Sequence, residues 1–325
     1  MDGHGHSAEA MFYSLMNFLK EMDLDIKDCR GQSYDNASNM SGKYNGLQAK
    51  IKEISPHAEY VPCFAHSFGQ SAVECCKEAV NFFCFIENVY VFFSAPTHRR
   101  GLLKKKLLES GGSLPVVKQL SETRWSARAD AVDSLFKSFN PILEALDNIS
   151  NDVEQKPETR HKAVGLMSTM EKLETSFMLV LWNKLLQRIN LTSVSLQKAN
   201  LDLYTARSLV QSLADFIMDM RSDTEFLNLE KLAKELNESE TYYSETHRAP
   251  KRSRKYDYSK NQDTSYDELT PGQKFKISTF FPIIDNLVSA LGKRQQAYAS
   301  LQNKFGVFRE MKNTPNLSPD IINPL

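Results

Sequence analysis

The sequence lacks an apolar run long enough to cross a membrane. None of its 325 residues falls in a stretch approaching the about 18 apolar residues that a transmembrane helix needs. The N-terminus, MDGHGHSAEAM, has no basic region followed by an apolar one, so it does not resemble a signal peptide. We therefore expect a protein of the nucleus or, failing that, of the cytoplasm, with no membrane partner.

The sequence also lacks an excess of either charge. Lys and Arg number 40 and Asp and Glu number 40, so net charge gives no argument for or against a nucleic-acid partner. Only local clusters of basic residues can support such a partner. Hydrophobic residues make up 41% of the chain, which is ordinary for a globular protein with a buried core.

Cysteines in paired C-x-x-C spacing are absent. The five cysteines are Cys29, Cys63, Cys75, Cys76 and Cys84, an odd number crowded into one part of the chain. This pattern disfavours a disulfide framework and a four-cysteine zinc site. Without a secretory signal, we expect reduced thiols.

Residues 7–125 alternate between predicted helices and short strands. Such a rhythm is typical of a parallel sheet with crossover helices. The helices are predicted over Ser7–Glu21, Ser41–Ile54 and about Ala65–Phe93, and the strands within Leu24–Asp35 and Ala58–Phe64.

Strand signals are scarce in the rest of the chain. From residue 126 to about 236, apolar residues recur at i, i+3, i+4 and i+7, which predicts helices throughout. Residues 237–271 are polar and predict a loop, and helix resumes over Gln273–Leu301. The predicted fold class is therefore α/β and helix-dominated, with few parallel strands and a large all-α part.

Asp35 stands where the first predicted strand gives way to a small-residue loop, in GQSYDNASNMSG. A carboxylate at the C-terminal end of a parallel strand lies where α/β folds place their sites, and it can bind Mg²⁺ or Mn²⁺ together with other acids. Asp is also a common turn and cap residue. The local string favours this second role.

Cys63 and His66, in PCFAH, follow the second predicted strand at C-x-x-H spacing. This is half of a zinc site, but no second pair at suitable spacing follows. We favour a structural role, in which a buried Cys and a hydrogen-bonded His fix the turn at the same edge as Asp35.

Arg124 and Trp125, in SETRWSARADAV, lie at the start of the predicted helices of residues 126 to about 236, the helical zone. Arg can bind a phosphate bidentately, and Trp can stack on an unpaired base. The alternative is a Trp that packs the first helix of the zone against the preceding domain, with Arg124 paired to Glu122. From these residues alone, packing is favoured.

Two basic clusters stand out against the neutral chain. Lys251–Lys255, KRSRK, suits a nuclear import signal or a soluble linker. The string THRRGLLKKK suits a DNA or RNA backbone, or simply a solvated helix face. Its candidate nucleic-acid ligands are Arg99, Arg100, Lys104, Lys105 and Lys106.

In this order, CRGQSYDNASNMSGKYNGLQAKI, YVPCFAHS and ETRWSARADAV resemble the transposase-derived domain of the zinc finger MYM-type 1-like proteins. That domain belongs to the hAT (hobo/Activator-like) transposases. The resemblance implies a ribonuclease H-like core over residues 1–125, with few parallel strands, and an all-α insertion over 126–325.

The resemblance also implies roles for the motif residues. Asp35 matches the second of three metal-binding acids, Cys63 and His66 match the family's C-x-x-H pair, and Arg124 and Trp125 match its R-W pair, whose Trp is associated with a flipped base. A complete homologue is expected to use Mg²⁺ or Mn²⁺, whereas we expect no cofactor in this chain. The first and third acids are expected upstream of the opening helix and beyond the helical zone.

We therefore expect a transposon-derived protein that is catalytically inactive by itself, with Asp35 as a vestigial metal ligand. DNA is the expected partner, and self-association or pairing with another transposase-like chain is the second. Two alternatives stay open: a DNA transposase or nuclease that is active as part of a longer chain, and a helical scaffold for protein interaction.

Overall fold

The computed structural model describes residues 7–34, 37–63, 75–94, 97–111, 114–120, 125–198, 200–237, 241–242 and 269–305. Within these ranges the protein is dominated by helices, and its sheet has two short parallel strands. The predicted helix-dominated α/β class is therefore confirmed. The predicted polar loop falls almost entirely outside the described residues.

The chain opens with helix α1, Ala8–Glu21. It begins where the sequence predicts, because Ser7 is its N-cap and the Ser7 hydroxyl accepts a hydrogen bond from the Ala10 N–H at 3.2 Å. A 3₁₀ turn, Ile26–Asp28, follows and leads into strand β1, Gly31–Gln32.

The predicted helix over Ser41–Ile54 is divided in two. Helix α2 is Ser38–Ser41 and helix α3 is Leu47–Ile54. Between them the backbones of Gly42 and Gly46 touch, and a Cβ added to Gly46 would collide with the Gly42 backbone. The prediction of one continuous helix was wrong here because this contact forces a sharp turn that the apolar spacing does not reveal.

Strand β2, Glu59–Tyr60, pairs with β1 in parallel, with Gly31 opposite Glu59. The ladder continues past the strand ends: the Val61 N–H donates to the Gln32 carbonyl at 3.0 Å and the Cys63 N–H to the Tyr34 carbonyl at 2.7 Å. The parallel arrangement agrees with the predicted crossover.

The N-terminal elements enclose a small apolar core. Its buried centre is formed by Ile26, Leu47, Ile51 and Ala58, and α1 covers this centre with the partly buried residues Met11, Phe12, Leu15, Met16 and Leu19. Two strands alone are too few for a stable sheet, so these helices supply the N-terminal unit's stability.

Helices occupy most of residues 126–236, as predicted. The helices from Lys77 onward are α4 (Lys77–Ser94), α5 (Thr97–Glu109), α6 (Trp125–Lys137), α7 (Phe139–Asn151), α8 (Pro157–Met170), α9 (Leu173–Leu196), α10 (Leu203–Asp219), α11 (Asp223–Leu236), α12 (Pro271–Phe275) and α13 (Phe281–Phe305), with a π turn at Lys276–Phe280. Helix α9 lies at the centre, and α4, α6, α8, α10 and α11 all pack on it.

Helices α4 and α5 share the apolar core of the helices that follow them. Their buried side chains, from Ala79 to Leu107, belong to the same cluster as those of α6 to α13, whereas Ala58 belongs to the N-terminal core. Apolar packing thus divides between Ala58 and Ala79. The domain boundary at residue 125, which follows from the resemblance, stays a prediction.

In the described part of the chain, no single helix is both long and apolar enough to span a membrane. Helices α4 and α5 pass that test only together, and a bend of 105° separates them.

Candidate functional site

Several predicted site residues lie outside the described residues. They are Asp35, His66 and Arg124. Trp125 is the first residue of α6, and its side chain is not described.

The ends of the two strands lie side by side. Tyr34, the residue before Asp35, accepts the hydrogen bond from Cys63, three residues before His66. Because parallel strands end at the same edge of a sheet, the chain enters both motifs from one edge. That the C-x-x-H pair shares an edge with Asp35 stays a prediction, because Asp35 and His66 lie outside the described residues.

Gln32 fixes β1 in this position. Its side chain is buried, and its amide Nε2 donates to the carbonyls of Gln48 at 3.1 Å and Ala58 at 3.2 Å. The Ser55 hydroxyl donates to the Cys29 carbonyl at 2.9 Å. Side chains thus tie the strand to α3 and to the approach of β2, and a buried polar group with partners resists displacement.

Tyr34 and Tyr60 lie next to each other on the sheet, with ring centroids 6.2 Å apart and ring planes 23° apart. Burial raises the pKa of the Tyr34 hydroxyl, and the nearby Cys29 and Tyr60 raise it further. Tyr34 therefore stays neutral at physiological pH, beside the strand end that leads into Asp35.

Helix α13 reaches back to β2. The Lys304 ammonium pairs with the Glu59 carboxylate, and the Arg294 guanidinium donates to the Pro62 carbonyl, 232 residues away in sequence. The Arg294 guanidinium also lies 5.3 Å from the Tyr298 ring centroid. Sequence periodicity carries no signal for such distant contacts, so the prediction missed this support of the strand edge.

We expect Lys304→Ala to raise the pKa of Glu59. That pKa lies below its usual value because Lys304 donates a hydrogen bond, and Lys52 and His57 act in the same direction, while partial burial opposes them. A carboxyl with a lowered folded pKa stabilises the protein above its unfolded pKa of about 4.3, and this stability is lost as pH falls through the folded pKa.

An NMR titration of the Glu59 carboxyl carbon measures this shift. Lys231→Ala is the matched control, because Lys231 pairs with Glu235 on α11. An unchanged Glu59 pKa in Lys304→Ala would show that the pair does not form in solution.

Residues 115–120, which precede α6, are held by two hydrogen bonds and an ion pair. The Leu120 N–H donates to the Glu87 carboxylate of α4 at 3.2 Å, and the Ser138 hydroxyl donates to the Pro115 carbonyl at 2.8 Å. Lys118 pairs with Asp130 of α6 at 2.8 Å. Residues 115–120 are thus anchored to α4, to α6 and to Ser138, the N-cap of α7.

Helix α5 carries the basic cluster, and its five cations differ in their surroundings. The Arg99 guanidinium lies 4.5 Å from the Phe92 ring centroid, and burial lowers its pKa. Lys106 pairs with Glu144 at 3.2 Å and Glu109 at 3.5 Å, and Lys105 with Glu109 at 3.9 Å.

The other two cations of α5 face solvent. Arg100 and Lys104 are exposed and lie one helical turn apart, while Leu103 and Leu107 hold the helix in the core. Within the described ranges, neither Arg100 nor Lys104 lies within ion-pair distance of a carboxylate. They form the part of the predicted cluster best placed to meet a phosphate.

Residues 3–46 match the family described as ZMYM1/FAM200, RNase-like domain. The matched segment contains α1, β1 and Asp35, and it ends just before α3. The match confirms the resemblance to a transposase-derived, ZMYM-type domain over this RNase-like segment. No solved structure matches the chain.

Potential metal ligands are present in the described part of the matched segment, but they are dispersed. Among the described residues, no three His, Cys, Asp or Glu side chains come together in a group that could hold a metal ion. The described residues at the strand ends are Tyr34 and Cys63, which are not ligands that Mg²⁺ prefers.

Proposed function

We propose that this chain is a transposon-derived, hAT-like protein that binds nucleic acid through α5 and does not itself cut DNA. Residues 1–125 are then a partial ribonuclease H-like core and residues 126–325 an all-α insertion. The family match at residues 3–46, the parallel strands and the helices after them support this origin. The sequence motifs identify one acid of the three that metal-dependent cleavage needs, Asp35.

The observation that carries the binding proposal is the solvent-facing pair of Arg100 and Lys104. Both side chains are exposed and have no ion-pair partner among the described residues, so a phosphate can approach them without displacing one. Lys105 adds a third cation, held weakly by a carboxylate at 3.9 Å. Such a row along a helix suits a nucleic-acid backbone better than a base edge.

We expect the double variant Arg100→Glu with Lys104→Glu to bind DNA at least about tenfold more weakly at low salt. The plot of log affinity against log salt should become shallower by about two, since each phosphate contact contributes about one to its slope. Fluorescence anisotropy of short labelled oligonucleotides, single-stranded and double-stranded, measures both quantities.

The matched control is Lys162→Glu with Lys231→Glu, which changes net charge equally on exposed faces of α8 and α11. We expect it to keep most of the affinity. An equal loss of DNA affinity in both double variants, or no binding by the wild-type chain at low salt, would contradict the proposal that α5 binds nucleic acid. Metal-dependent nicking that Asp35→Ala abolishes would replace the non-catalytic proposal with the nuclease alternative.

A further inference from the structure

Two adjacent cysteines precede α4, and the proposed function does not use them. Cys75 and Cys76 are half-buried at the margin of the helical core, and their Sγ atoms lie 4.0 Å apart. Both residues come before the first helical residue, Lys77. The two thiols therefore meet where α4 begins.

The two thiols differ in their hydrogen bonds, and their pKa values shift in opposite directions. The Cys75 thiol donates a hydrogen bond to Cys76, which raises the pKa of Cys75 and lowers that of Cys76, and burial raises the pKa of Cys75 further. The backbone N–H groups of Ala79 and Glu78 also lower the pKa of Cys76, while its own burial and the Glu78 carboxylate oppose them. Of the two thiols, Cys76 therefore loses its proton more readily.

The start of α4 reinforces this arrangement. The N-terminus of an 18-residue helix carries a partial positive charge and unpaired N–H groups that stabilise an anion. A thiolate in such a position is the reactive form of cysteine, as nucleophile and as target of oxidants. A thiol within reach is then positioned to capture the oxidised sulfur.

We propose that Cys75 and Cys76 form a redox-active dithiol, in which a peroxide oxidises Cys76 and Cys75 closes a reversible disulfide onto it. The two sulfurs, 4.0 Å apart, have to approach to about 2.05 Å. The Cα atoms of adjacent residues lie about 3.8 Å apart, which is shorter than disulfides usually span. The bond is therefore expected to be easily reduced.

The chemistry balances with hydrogen peroxide as the oxidant. The Cys76 thiolate attacks one peroxide oxygen, the O–O bond breaks, and hydroxide leaves and takes up a proton to become water. The sulfur is now a sulfenic acid. The Cys75 thiol then attacks this sulfur, an S–S bond forms, the S–O bond breaks, and the hydroxyl leaves with the Cys75 proton as a second water.

The experiment treats the full chain with limiting hydrogen peroxide, blocks the remaining thiols and locates each modification by mass spectrometry. In the wild type we expect an intact mass lower by two hydrogens, loss of free thiol at Cys75 and Cys76, and recovery with dithiothreitol. In Cys75→Ser, a sulfenic acid should persist at Cys76 and react with dimedone. In Cys76→Ser, Cys75 should stay reduced at the same dose.

Cys84 is the matched comparison, because it lies on α4 itself and is more exposed than either member of the pair. Cys84→Ser should behave as the wild type. If reactivity simply follows exposure, Cys84 is oxidised first, and that result overturns the proposal. Oxidation of Cys75 at the wild-type rate in Cys76→Ser also overturns it, and circular dichroism verifies that each variant is folded.

Discussion

Replacing Trp182 by alanine is expected to lower the free energy of unfolding by about 3–5 kcal/mol. Trp182 is fully buried in α9, the helix on which five others pack, and its ring meets Phe83 of α4 edge to face at 5.0 Å between centroids. Alanine would leave a cavity at the centre of the core, which close-packed neighbours can only partly fill. Urea denaturation followed by circular dichroism measures the loss.

Two further variants make the Trp182 result specific. Leu191→Ala removes an apolar side chain that is 65% exposed on the same helix, so its effect should stay within about 0.5 kcal/mol. Trp182→Phe should cost less than alanine, because it keeps a ring against Phe83 and removes an indole N–H that has no acceptor among the described residues. Equal losses for Trp182→Ala and Leu191→Ala would contradict the central position of Trp182.

Phe280→Ala should also cost about 3–5 kcal/mol. Phe280 ends the π turn, has no exposed surface, and lies 5.4 Å from Phe226 of α11 and 5.9 Å from Phe177 of α9 between ring centroids. It therefore connects α13 to helices that precede the polar loop. Losing the ring removes buried area and aromatic contacts together.

Hydrogen exchange adds a local measurement to the unfolding experiment. In Phe280→Ala the amides of α13 should lose protection before those of α9, because the lost contacts join α13 to the rest of the core. Ile277→Ala, in the same π turn but 45% exposed, is the control and should change little. Uniform loss of protection across α9 and α13 would contradict this local role.

Local patterns in the sequence were enough to predict some elements and not others. Helix α1 was predicted to within one residue because Ser7 caps a clear apolar face. The parallel pairing followed from the order of elements. Gly42 and Gly46 break the second helix through a backbone contact, which no apolar spacing encodes.

The contacts that position the candidate site join residues far apart in the sequence, so local sequence patterns could not predict them. Helix α4 is apolar around most of its surface, so periodicity alone did not show that it packs with the helices after it. Arg294 and Lys304 reach the strand edge from the far end of the described chain. Lys106 differs from the exposed Arg100 partly through Glu144, an ion-pair partner that lies on another helix.

The contacts of α13 with β2 and with Pro62 join the last described helix to the N-terminal unit. The N-terminal unit buries few side chains of its own, and polar contacts from Arg294 and Lys304 bind its strand to a helix rooted in the larger core. Contacts between residues so far apart in the sequence form late in folding, and they are among the first to break when the protein is destabilised. Displacing α13 would therefore loosen the hold on β2, although the helix and the strand lie far apart in the sequence.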